Sequence, residues 1–90
     1  MENEILKYFF KAYFHQDWRS DYSSSFDAVQ NFIEHEAAET RKELKAALHY
    51  YLLTQCPLTD SLIWELGGSF RPSAEGRSTE EWFREVAERL

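Results

Sequence analysis

Glu4-Ile5-Leu6-Lys7-Tyr8-Phe9-Phe10-Lys11-Ala12-Tyr13-Phe14 decides the fold class of this chain. Ile5, Leu6, Phe9, Phe10, Tyr13 and Phe14 recur at the spacing that gathers side chains on one broad helical face, while Glu4, Lys7 and Lys11 recur on the other. The segment predicts an amphipathic helix over residues 4–14. Downstream, Ser24 or Ser25 is placed to cap a second helix that carries Phe26, Val29, Phe32 and Ile33 and runs to about Ala37. Thr40 and Glu43 form a T-x-x-E capping box before Leu44, Ala47, Leu48, Tyr51 and Leu52, predicting a third helix to about Gln55, and Pro57 forbids its continuation. Leu58, Leu62, Ile63 and Leu66 mark a short fourth helix behind Thr59 or Asp60, closed by Gly67-Gly68, which takes a left-handed conformation at low cost. Ser78-Thr79-Glu80-Glu81 is a further capping box, opening a last helix with Trp82, Phe83, Val86 and Leu90 inward.

Between these elements, residues 15–25 show no period, and residues 69–77, with Pro72 and Gly76, read as a loop. Gly68-Ser69-Phe70-Arg71 is compatible with extended chain, but no stretch alternates as a strand does. The expected fold class is all-α, a single small bundle of about five helices forming one domain over residues 1–90.

Ninety residues leave room for one small core. With 43 % hydrophobic and 17 % aromatic residues the chain is too apolar to stay disordered, and the bulky rings compensate for a short list of core positions. Sixteen acidic against ten basic residues give −6, a field that repels phosphate backbones, so direct nucleic-acid binding is not expected. No run approaches the roughly 18 apolar residues that span a bilayer. The opening Met1-Glu2-Asn3-Glu4 lacks the basic start of a secretory signal, and the expected location is the cytoplasm, away from membranes. The single cysteine, Cys56, excludes an internal disulfide and makes no structural zinc site by itself.

Catalytic and metal chemistry find little footing. Cys56 precedes Pro57 without a nucleophile signature and reads as a small thiol at a helix end. His15, His35 and His49 with Glu36 and Glu39 are metal-ligand types, yet His35 and Glu39 share a helical face only if one helix runs through Ala37-Ala38, and no HExxH pattern exists. Gly67-Gly68 has no following lysine and is no phosphate loop. In the last helix, Glu80 and Arg84, Glu81 and Arg84, and Glu85 and Arg89 are exposed neighbours worth a few tenths of a kcal/mol each. No cofactor, no metal and no enzymatic activity are expected.

Charge placement is more telling. Residues 15–39 hold Asp17, Asp21, Asp27, Glu34, Glu36 and Glu39 against Arg19 alone, so −5 of the −6 lies in one region, and Arg41, Lys42 and Lys45 follow directly. Such a face is either simply solvated or a docking surface for a basic protein, where complementary fields raise the association rate. Trp18, Tyr22 and Tyr50 supply aromatic anchors if they are exposed.

Ala12-Tyr13-Phe14-His15-Gln16-Asp17-Trp18 resembles the Y-F-H-Q-D-W signature near the start of the contact-dependent growth inhibition immunity proteins of bacteria. Nearly the full chain is compatible, down to Thr79-Glu80-Glu81-Trp82-Phe83 at the last helix, although Ser23-Ser24-Ser25 and Cys56-Pro57-Leu58 match no family pattern. The resemblance implies a cytosolic protein that binds and neutralises the C-terminal toxin domain of a cognate effector, commonly a nuclease with a basic cleft, as a monomer or weak dimer. Within the motif, Tyr13, Phe14 and Trp18 are expected to pack, with His15 or Asp17 tying the loop to a helix end and Gln16 completing a mainly structural set. Toxin binding is assigned to Asp21, Tyr22, Glu34, Glu36 and Glu39, with Asp60 and Glu65 as a second acidic group. A small acidic helical adaptor occupying the basic surface of a nucleic-acid-binding protein shares the size, charge and lack of catalytic residues.

Overall fold

The computed structural model describes residues 2–54 and 58–90, so the readings of Gln55 as a helix end, of Pro57 as a stop and of Cys56 as a helix-end thiol fall outside the described residues. Its elements are α1 (Glu2–Tyr13), α2 (Trp18–Asp21), α3 (Ser25–His35), α4 (Ala38–Thr54), α5 (Asp60–Glu65), a 3₁₀ turn at Pro72–Glu75 and α6 (Thr79–Arg89). The class is all-α, with no strand among the described residues; residues 68–71 form none. Beyond the five anticipated helices there are α2 and the 3₁₀ turn, each four residues long and too short to leave a period in the sequence.

Helix α4 packs against both α1 and α6, and α3 lies along α1. The α1 face read from the sequence supplies Leu6, Phe9, Phe10 and Phe14 to the core, all fully buried, together with Ile5 and Tyr13. Into it α6 inserts Trp82, Phe83 and Val86, α3 adds Val29 and Phe32, and α4 adds Leu44, Ala47 and Leu48. Trp82 is the hub: its ring centroid lies 5.0 Å from Phe70, 5.6 Å from Phe14 and 6.0 Å from Phe10. Aromatic pairs at such separations add about 0.5–1.5 kcal/mol each beyond their area burial.

Two helix starts illustrate how local chemistry competes. At α6 the capping box forms as read, the Ser78 hydroxyl accepting from the Glu81 amide and the Glu81 carboxylate accepting from the Ser78 amide. At α4 the box does not form, because the helix begins at Ala38 and leaves Thr40 and Glu43 inside it. Ala37-Ala38 offers the highest helix propensity of any residue type, and Glu39 in the first turn meets the positive end of the helix dipole. The chain turns instead at Glu36, whose amide donates to the Phe32 carbonyl as α3 ends at His35. Gly67 leaves α5 at φ +99°, the left-handed conformation expected of it.

Candidate partner-binding surface

The corner that follows α1 is fixed from both sides. The Ser69 amide donates to the Phe14 carbonyl at 2.7 Å, and the Trp18 indole N–H donates to the Ser69 carbonyl at 2.9 Å. Phe70 stacks on Phe14 at 5.2 Å and meets Trp18 edge-on at 5.4 Å. Trp18 is 3 % exposed, so it is a core side chain and no surface anchor. His15 makes the tie to the helix: its Nδ1 accepts from the Asp17 amide at 3.1 Å and its Nε2 lies 3.1 Å from Asp21 Oδ2. Asp17 occupies the cap position of α2 but its side chain makes no capping bond, and Gln16 is exposed.

This framework presents the acidic segment to solvent. Asp21, Glu34 and Glu39 are exposed, Glu34 accepting from Gln30 at 3.1 Å and Glu39 bonding to nothing among the described residues. Tyr22 is half-buried and its hydroxyl donates to Asn31 at 3.2 Å. Glu36 has a different place: one carboxylate oxygen accepts from the Tyr8 hydroxyl at 2.6 Å and the Tyr13 hydroxyl at 2.7 Å, fastening the α3–α4 corner onto α1. Both phenols ionise later than usual, Tyr8 chiefly through its hydrogen bond to that carboxylate and Tyr13 chiefly through burial, with the carboxylate next.

The second acidic group sits elsewhere, on α5. Asp60 uses both oxygens internally, accepting from Ser73 at 2.6 Å and Thr79 at 2.9 Å, and so joins α5 to the 3₁₀ turn and to α6. Glu65 is exposed. Beside them Trp64, which the sequence reading passed over, stands 65 % exposed. A signal for it existed: Ile63 and Leu66 form the apolar stripe of α5, and position 64 falls off that stripe.

Among the described residues, every ion pair of a Lys or Arg is on or next to α6: Arg77 and Arg89 with Glu85, and Arg84 with Glu80. Among the described residues, the carboxylates of residues 15–39 meet no Lys or Arg, and their one ionic contact is Asp21 with His15. With no Lys or Arg beside them, the exposed members Asp21, Glu34 and Glu39 keep their charge available to a partner's field. No group of three or more His, Cys, Asp or Glu side chains among the described residues is arranged to hold a metal ion. No helix among them is long and apolar enough to cross a membrane.

A family model described as CdiI immunity protein matches residues 2–90. No curated protein matches the chain. Among solved structures, a chain of the CdiA-CT/CdiI complex from Y. kristensenii is similar at a TM-score of 0.83 and 26 % identity, over 98 % of this chain and 97 % of that one.

Proposed function

The chain belongs to the CdiI immunity protein family, and from that premise we propose that it binds and neutralises the C-terminal toxin domain of a cognate contact-dependent growth inhibition effector. The observation that carries this reading is the full-length likeness, at a TM-score of 0.83, to a chain of a toxin–immunity complex. It acts as an inhibitor and not as an enzyme, in the cytoplasm, where the toxin does its damage. The partner is a basic nuclease domain. The exposed carboxylates Asp21, Glu34 and Glu39, none of which meets a Lys or Arg among the described residues, support this, because a protein that handles RNA or DNA presents a cationic cleft to which they are complementary.

Glu36 and Asp60 contribute to that field at long range while their oxygens hold the fold. The test is calorimetry of the purified chain with the toxin domain encoded upstream of its gene, run beside an assay of nuclease activity. One-to-one binding with loss of nuclease activity is expected. Absence of binding overturns the immunity reading, and binding with a toxin that cleaves neither RNA nor DNA overturns the nuclease assignment alone.

A further inference from the structure

Trp64 is 65 % exposed, although the indole is among the side chains that gain most from burial. It borders a cleft of about 440 Å³ whose other walls are Asp60, Ser61, Glu65 and Arg71. Two carboxylates thus flank an open aromatic face. Neither pairs with a cation among the described residues, and Arg71 has no ion pair either. Asp60 is held in place by Ser73 and Thr79, so one anionic wall is set in advance, while Glu65 is exposed and makes no hydrogen bond or ion pair among the described residues.

Accepting the immunity reading, we propose that this cleft anchors the toxin by receiving one of its lysine or arginine side chains, with the charge between Asp60 and Glu65 and the stem or guanidinium plane against Trp64. Three features select that occupant. An indole face is the best aromatic partner for a cation. The carboxylates supply charge-assisted acceptors, which suit a guanidinium or ammonium and repel an acidic group. A protruding side chain from a docking protein reaches the cleft without rearrangement, because Ser61, Trp64, Glu65 and Arg71 all lie at the surface. Arg71, which borders the same cleft, is left to donate to main-chain carbonyls beside the inserted cation. Tryptophan at the centre of such a contact is among the residue types that most often dominate binding.

Calorimetry of the whole chain against the toxin domain encoded beside it, with Trp64→Ala, Trp64→Phe and Glu65→Lys variants, tests the proposal. Trp64→Ala is expected to raise Kd about 30-fold, Trp64→Phe to recover most of that loss, and Glu65→Lys to raise Kd about 10-fold. All three variants are expected to keep the wild-type circular dichroism spectrum. A Trp64→Ala variant that binds within about threefold of wild type overturns the anchor and leaves the immunity reading standing. Wild-type protein that fails to bind overturns both. Should Trp64→Ala lose its fold, Glu65→Lys decides, since that side chain makes no bond among the described residues: unchanged affinity there refutes the cleft.

Discussion

Trp18 shows how one side chain couples local and distant structure. It is 3 % exposed, and its indole N–H reaches a carbonyl 51 residues away in sequence. Trp18→Ala is expected to cost about 3–5 kcal/mol, enough to threaten a small domain, and urea denaturation measures it. Glu36 is the second decisive residue. Tyr8 and Tyr13 both titrate above their ordinary value of 10.0 while they donate to it. In the unfolded chain these phenols ionise near ~10, so the native state keeps protons that the unfolded state has lost once pH passes that value. Their contribution is whole below about pH 10 and shrinks as pH rises further. Glu36→Gln should bring both tyrosines back toward ordinary titration, read from tyrosinate absorbance; an unmoved curve refutes the assignment. Single residues were unevenly legible: the burial of Phe9, Phe10 and Phe14 follows from period alone, whereas the bonds that draw Glu36 inward depend on two tyrosines from a helix more than twenty positions earlier.

Helices with an unambiguous start were readable, and those with competing signals were not. The Ser78–Glu81 box left nothing to compete with it, whereas Thr40–Glu43 lost to two alanines upstream. One-turn elements such as α2 arise from tertiary demands, here the burial of Trp18, and leave no pattern for a sequence to carry. The cap of α6 makes a measurable difference. Ser78→Ala should lower stability by about 1 kcal/mol in urea titration. Glu81 titrates below its ordinary value of 4.5, first because it accepts from the Ser78 backbone N–H. A depressed carboxylate stabilises above its unfolded pKa, so this part of the stability is present above about pH 4.5 and is lost as pH falls below it. Glu81→Gln is accordingly expected to flatten the acid limb of the stability profile.

At the scale of the whole molecule the charge is separated by function: the cations that pair with carboxylates do so around α6, and the acidic segment faces solvent without them. Glu34 and Glu39 are the carboxylates to reverse, because changing Glu36 would also release two tyrosines. Glu34→Lys with Glu39→Lys should slow association with the toxin domain about 10-fold at low salt and weaken its salt dependence, leaving the folded fraction intact. Stopped-flow mixing at two ionic strengths checks this, and an unchanged rate removes both residues from steering. The candidate surface was half legible in sequence, since the acidic bias is a matter of counting, whereas the cleft beside Trp64 exists only once α5 and Arg71 are brought together. The position of Trp82 imposes an order in time. A chain emerging from the ribosome exposes the aromatic face of α1 first, yet the indole that closes over Phe10 and Phe14 is made some seventy residues later. At roughly 5–20 residues per second the nascent protein spends several seconds with that face uncovered, open to chaperones, and protection of the cell begins only after translation has passed the last helix.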